Sequence, residues 1–67
     1  MFKLYDTVKL KENRPDIDVT KENVGTIIDY IKIDDVYSVE FVDKDGDTIE
    51  KSLFAYFKPS DLIKVIN

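Results

Sequence analysis

The sequence predicts an all-β fold, a small and partly open barrel of five short strands. Three segments that begin near residues 7, 24 and 37 alternate apolar and polar residues with the period of a β-strand. The stretches between them carry Asp, Asn, Gly or Pro, which are typical of places where a chain reverses direction. A chain of 67 residues can build one such core, so we expect a single domain over residues 1–67.

The first predicted strand covers residues 7–10, where apolar and polar residues alternate. A long polar loop, residues 11–23, follows it. Pro15 lies in this loop and does not fit a strand ladder, because proline has no N–H to donate. The two apolar residues of the loop, Ile17 and Val19, are expected to pack onto the barrel and close one end.

The second strand is predicted over residues 24–31 (Val-Gly-Thr-Ile-Ile-Asp-Tyr-Ile). A helix over residues 20–31 is the alternative, since Thr20 can cap one. Glycine and β-branched residues disfavour helix interiors, so the strand is preferred. Gly25 inside the strand indicates a β-bulge or a tight bend, which a small barrel needs where a strand turns a corner.

The rest of the chain supplies three more strands. Residues 34–35 form a short hairpin turn, and residues 37–41 then show the cleanest alternation in the sequence. A second hairpin at residues 43–47 (Asp-Lys-Asp-Gly-Asp) places Gly46 in a left-handed conformation. The remaining predicted elements are a fourth strand over residues 48–54, a turn of 3₁₀ helix over residues 58–61 and a fifth strand over residues 62–66.

Three of these segments resemble a known family. They are Lys-Leu-Tyr-Asp-x-Val at residues 3–8, Val-Gly-Thr-Ile-Ile at residues 24–28 and Tyr-x-Val-Glu-Phe-x-Asp at residues 37–43, with Gly46 and Asp61-Leu62 further on. Together they resemble the short bacterial proteins grouped as domain of unknown function 4926, and the resemblance extends over nearly the whole chain. Similar motifs occur in other SH3-like groups: a photosystem I accessory subunit, the nitrile hydratase β-subunit and the KOW domains.

This resemblance implies an SH3-like barrel, a gene located beside those of toxins or other small partners, and no catalytic residues. The chain departs from the commonest family pattern at two places, the polar stretch of residues 16–22 and the aromatic run of residues 54–57. Both departures lie where binding surfaces can form.

The composition disfavours enzymatic and cofactor chemistry. The chain has no Cys and no His, which leaves no thiolate and no ordinary catalytic triad. Residues 43–47 superficially resemble a calcium loop, but placing Gly46 at its sixth position puts Phe41, which cannot ligate, at the first. We therefore expect no enzyme activity, no cofactor and no metal. The start of the chain lacks the apolar run of a signal peptide, and no stretch approaches a membrane span, so we expect a cytoplasmic protein without membrane contact.

The net charge of −4 disfavours a nucleic acid as partner. It would attract a protein partner with a basic surface or simply keep the protein soluble, and solubility is the preferred interpretation of the charge taken alone. The alternative is a KOW-like binder of RNA or single strands, in which Tyr30 or Tyr56 would stack on bases. Its basic rim would consist of Lys9, Lys11, Arg14 and Lys21.

The aromatic run of residues 54–57 (Phe-Ala-Tyr-Phe) is the strongest candidate for a binding surface. In a strand Phe54 and Tyr56 face one way while Phe57 faces the other, and a barrel of this size rarely buries both sets. The alternative is a bend near Ala55 that lets both sets cap the barrel ends. The candidate partner-binding residues are Phe54, Tyr56, Phe57, Tyr30, Asp16 and Asp18.

The function predicted from these features is that of a non-catalytic protein-interaction module, the antitoxin or accessory partner of the product of a neighbouring gene. An accessory subunit of a larger enzyme complex is a further alternative.

Overall fold

The computed structural model describes residues 2–66, and the all-β class is confirmed. One antiparallel sheet in the order β3-β2-β1-β4 contains β1 (Thr7–Leu10), β2 (Val24–Ile31), β3 (Val36–Val42) and β4 (Leu62–Lys64). Three short 3₁₀ helices lie in the connections: Pro15–Ile17, Glu50–Phe54 and Pro59–Asp61. Residues 2–66 contain no α-helix, and none of their helical turns is long and apolar enough to cross a membrane.

Most of the predicted elements are confirmed. β1 and β2 have the predicted bounds, and β3 is one residue longer at each end than its alternation indicates. The turn between β2 and β3 places Asp35 in the left-handed region at φ 52°, and the next turn does the same for Gly46 at φ 86°. Asp tolerates this conformation better than most residues, because its short side chain bonds locally. A helix over residues 20–31 is excluded by the β2 ladder.

Gly25 lies in regular register opposite Phe41, so the bulge predicted there is wrong. The register shift of β2 lies instead at Ile28, between Ile27 and Asp29. Gly25 serves a different purpose, since a Cβ atom at this position would lie 2.6 Å from Val39 Cγ1 and 2.8 Å from the ring of Phe41. The core side chains of β3 occupy the space that any larger residue would need.

The first loop packs on the core as predicted. Arg14 and Val19 pair through two backbone hydrogen bonds of 2.8 and 3.1 Å, with the 3₁₀ helix Pro15–Ile17 between them. This small closed loop directs Val19 inward, where it is fully buried, and Ile17 is half-buried against the core.

One segment of chain joins the two edges of the sheet. Phe57 pairs with Tyr37 on the outer edge of β3, with N–O distances of 2.7 and 2.9 Å. The 3₁₀ helix Pro59–Asp61 follows, and β4 then pairs with β1 at the opposite edge. The predicted fifth strand is thus β4, and it ends at Lys64 rather than at residue 66. The enclosed core consists of Val8, Leu10, Val19, Ile27, Tyr37, Val39, Phe41, Phe57 and Leu62.

We expect Gly25→Ala to destabilise the protein by about 1–3 kcal/mol, because the new methyl group overpacks the core against Val39 and Phe41. Gly46→Ala is the matched control. A Cβ at Gly46 meets nothing within 4 Å, so its cost is backbone strain alone, about 1 kcal/mol. Urea unfolding of both variants measures the difference. Equal losses would contradict the close approach at Gly25.

Candidate interaction surface

The predicted fourth strand over residues 48–54 is wrong, for a reason that defines the candidate site. The chain pairs with the outer edge of β3 at two places, Thr48 opposite Val42 and Phe57 opposite Tyr37. Between these pairs β3 advances five residues while the chain beside it advances nine. Four residues are therefore in excess, and they cannot stay in the ladder. They leave the ladder within the second 3₁₀ helix, Glu50–Phe54, which we call the central 3₁₀ helix.

Residues 50–53, which we call the insert, account for this excess. The chain on both sides of the insert keeps the alternation of a single strand. The side chains that pack against or within the core are Ile49, Ala55 and Phe57, and those that face solvent are Phe54 and Tyr56. The fourth strand is thus present in its side-chain pattern but interrupted by an excursion.

Ser52 holds the insert against β3. Its fully buried hydroxyl donates to the carbonyl oxygen of Ile49 at 2.7 Å and accepts from the N–H of Phe41 at 3.4 Å. Ile49 also donates its own N–H to the carbonyl of Phe41 at 2.8 Å. In an uninterrupted ladder the N–H of Phe41 would donate directly to Ile49. Here the hydroxyl of Ser52 lies between the two groups instead, accepting from the N–H of Phe41 and donating to the carbonyl of Ile49, and we call this arrangement the relay.

We expect Ser52→Ala to cost about 1–3 kcal/mol of unfolding free energy, because it leaves the buried N–H of Phe41 without an acceptor. Ser60→Ala is the control, since Ser60 is exposed and is expected to be close to neutral. Thermal and urea unfolding measure both. Equal stability of the two variants would show that the relay contributes nothing.

Phe54 and Tyr56 form an exposed aromatic pair. Their exposed fractions are 85% and 62%. Ala55 between them is extended, with φ −101° and ψ 154°, so both rings project from the same side of the chain. The predicted alternation is confirmed here, and the alternative in which both aromatic sets cap the barrel is wrong.

Phe57 is not available to a partner, contrary to its place among the predicted contact residues. It is fully buried, with its ring centroid 5.4 Å from that of Phe41. Its backbone pairs with Tyr37 at the edge of β3, and this directs the side chain inward. Its role is to anchor the aromatic pair to the core.

Asp16 and Asp18 both lie exposed in the first loop but make different contacts. The carboxylate of Asp16 accepts two bonds of 3.0 Å from the guanidinium of Arg14, whose Cζ lies 5.8 Å from the ring centroid of Phe57. Asp18 forms an ion pair of 3.4 Å with Lys51 of the insert. Asp18 therefore connects the first loop to the insert.

The Arg14 hydrogen bonds hold the pKa of Asp16 below its ordinary value, because they stabilise the carboxylate. A folded-state pKa below the unfolded one adds stability above the unfolded pKa, and this stability is lost as the pH falls through the folded pKa. We expect Arg14→Gln to raise the pKa of Asp16 and to remove this part of the acid dependence of stability. NMR titration of the carboxyl carbon measures it, and an unchanged titration midpoint would contradict the assignment.

Tyr30 lies away from the aromatic pair, on the other side of Tyr37. It pairs with Tyr37 across the strands, and their ring centroids are 4.8 Å apart. The Tyr30 hydroxyl donates to Asp35 at 2.9 Å, and this bond raises the pKa of Tyr30. Phe2 packs edge-on against Tyr37 from 5.5 Å. These contacts place Tyr30 at one end of the core, and its role in partner binding stays a prediction.

An open groove of about 730 Å³ lies between the first loop and the insert. Asp18 and Asn23 line it from the loop, and the opposite residues are Asp43, Lys44, Glu50 and Lys51. Asp43 Oδ1 is engaged by the N–H groups of Asp45 and Asp47, which keep the adjoining turn in shape. Among residues 2–66, no group of His, Cys, Asp or Glu is placed to hold a metal ion.

Two segments of the chain that contribute residues to this groove are acidic. Residues 16–23 carry three carboxylates and one lysine, and residues 43–51 carry four carboxylates and two lysines, which together make −4. The rest of the chain carries seven groups of each sign and is neutral. Of these charged groups, three carboxylates (Asp18, Asp43 and Glu50) and two lysines (Lys44 and Lys51) line the groove itself.

One feature of the sequence indicates the insert, although alternation alone does not reveal it. Glu50, Lys51 and Ser52 are three polar residues in a row after Ile49, and such a run breaks a period of two. Neither the ion pair of Lys51 nor the relay of Ser52 follows from that run alone.

The fold and this surface define a small all-β protein with an exposed aromatic pair beside an acidic groove. The chain belongs to the family described as domain of unknown function (DUF4926), whose model matches residues 4–54. The match ends at Phe54, so the segment that joins the sheet edges lies beyond it. No curated protein and no solved structure matches the chain.

Proposed function

We propose that this protein is a non-catalytic interaction module that docks a protein partner on the aromatic pair. The observation that supports this most strongly is the exposure of Phe54 and Tyr56, at 85% and 62%, on one side of the chain. Large aromatic side chains supply much of the binding energy of interfaces when a partner covers them. They stand next to an insert, and irregularities of this kind in strands are commonly functional.

The partner in this proposal is a protein with a basic surface. Residues 16–23 and 43–51, the segments that contribute to the groove, carry a combined charge of −4, and this supports the choice because complementary charge steers association and excludes acidic competitors. We further propose a cytoplasmic setting, to which a chain without Cys is suited. The product of a neighbouring gene, to which this chain would be antitoxin or accessory protein, is the first partner to test.

The finer fold assignment is part of the proposal. The sheet order, the long first loop, the 3₁₀ turn before β4 and the segment that joins both sheet edges are consistent with an SH3-like barrel. In this barrel the insert interrupts the fourth of five strands.

The nucleic-acid alternative has weaker support. Arg14 is the guanidinium of the basic rim, and it is engaged with Asp16 and the face of Phe57. Salt-sensitive binding of a single-stranded oligonucleotide is the result that would favour this alternative. Co-purification with a large complex would favour the accessory-subunit alternative.

We expect the double variant Phe54→Ser/Tyr56→Ser to lose at least about tenfold of its partner binding, since each exposed anchor at an interface contributes more than 1 kcal/mol. The measurement is quantitative affinity capture of the neighbouring-gene product, co-expressed with the tagged chain. The substitutions lie on exposed side chains and are expected to leave the melting temperature nearly unchanged.

Ile33→Ser is the matched control for this experiment. Ile33 is 91% exposed but lies in the turn between β2 and β3, away from the insert. Capture by this variant should equal that of the wild type. Equal capture by the Phe54/Tyr56 double variant, or no captured protein at all, would contradict the proposed function.

A further inference from the structure

We infer that the groove between the first loop and the insert receives an extended, basic segment of the partner, with the insert as one of its walls. The inference rests on the proposed function and names the recognition element that the partner presents. Its occupant is a stretch of polypeptide in which a basic residue and an apolar residue lie two positions apart.

The charge of the groove identifies the basic component. Three carboxylates line it, those of Asp18, Asp43 and Glu50, against two lysines, Lys44 and Lys51. Lys51, one of those lysines, reaches across to Asp18 at 3.4 Å, and both side chains are more than 60% exposed. An exposed pair of this kind adds little stability, so it exchanges readily. An incoming guanidinium binds a carboxylate through two hydrogen bonds and can displace the lysine from Asp18.

The spacing along the central 3₁₀ helix identifies the apolar component. Side chains three residues apart on a 3₁₀ helix eclipse one another, so Phe54 lies on the same edge as Lys51. At a rise of about 2 Å per residue, the two positions are roughly 6 Å apart along the helix axis. Residues i and i+2 of an extended chain are separated by about 6.6 Å and project from the same side. When a basic residue of the segment binds Asp18, a residue two positions away from it along the segment therefore aligns with Phe54.

The insert makes this groove possible. Glu50 and Lys51 belong to it, and they form the wall opposite Asp18 and Asn23. Without the four excess residues, Ile49 would continue directly into Phe54 within the strand and the wall would disappear. The same excursion that interrupts the ladder thus creates the acidic wall beside the aromatic pair.

NMR titration with a defined peptide tests the inference. The probe is acetyl-Gly-Arg-Gly-Leu-Gly-Arg-Gly-Leu-Gly-amide, and its counterpart with Glu in place of Arg is the peptide control. The expected result is binding of the arginine peptide, with shifts at the amides of Asp18, Glu50 and Phe54, and no binding of the glutamate peptide. Absent binding of the arginine peptide, or shifts confined to other surfaces, would overturn the inference.

Two variants with the same change of charge distinguish an effect of the groove on peptide affinity from an effect of the net charge of the protein. Glu50→Lys is expected to weaken binding of the arginine peptide about fivefold, because it reverses the charge of a residue in the wall of the groove. Exposed charges farther away are screened within about 8–10 Å. Glu12→Lys is the matched control, since Glu12 lines a separate cleft beside Asp61, and it should change affinity by less than about twofold. Equal weakening by both variants would overturn the inference in favour of net charge.

Deletion of residues 50–53 gives an independent test. Because it lets the strand pair continuously with β3, the shortened chain should fold with an unchanged or higher melting temperature and fail to bind the peptide. A folded deletion variant that binds the peptide as well as wild type would overturn the inference. If the deletion prevents folding, the comparison of Glu50→Lys with Glu12→Lys decides. If a variant loses peptide binding in the groove but still captures the neighbouring-gene product through the aromatic pair, the inference is wrong and the proposed function remains.

Discussion

The mismatch of length between β3 and the chain beside it is the constraint on which the rest of this structure depends. Two backbone pairs, Thr48 with Val42 and Phe57 with Tyr37, fix the ends of that segment, and they leave four residues more than the ladder can hold. Hydrogen bonds in a β-ladder tolerate one extra residue as a bulge, but four must leave the sheet. They leave at a defined place because Ser52 bonds the insert to Ile49 and Phe41, and because Phe57 returns the chain to the edge of β3.

This arrangement separates the side chains that pack against the core from those that face solvent along one interrupted segment. The inward positions on either side of the insert, Ile49, Ala55 and Phe57, pack against or within the core. The outward positions carry the exposed aromatic rings, which the core does not need. The first loop is tied to both parts, through Arg14 over the ring of Phe57 and through the ion pair of Asp18. The exposed side chains can therefore vary here while the packing of the core stays the same.

The sequence was sufficient for the parts of the fold that depend on local chemistry. Alternation gave β1 and β2 with their bounds, and the left-handed turn at Gly46 followed from its neighbours. The prediction of the fourth strand is wrong because the register between distant segments depends on where Phe57 pairs. No local sequence pattern indicates that pairing. Gly25 was misread for a similar reason, since the side chains that exclude a Cβ come from another strand. Of the site, the exposed aromatics were predictable from alternation, whereas the groove needed three segments in contact.

Amide hydrogen exchange across residues 48–57 tests the interrupted strand most directly. The account predicts slow exchange at Ile49 and Phe57, whose N–H groups donate to β3, and fast exchange at Lys51 and Tyr56. Exchange at Lys51 as slow as at Ile49 would mean a regular fourth strand, because alternate N–H groups of an edge strand donate to its neighbour. Exchange at Phe57 as fast as at Lys51 would mean that the sheet is not joined there. Either result would contradict the account.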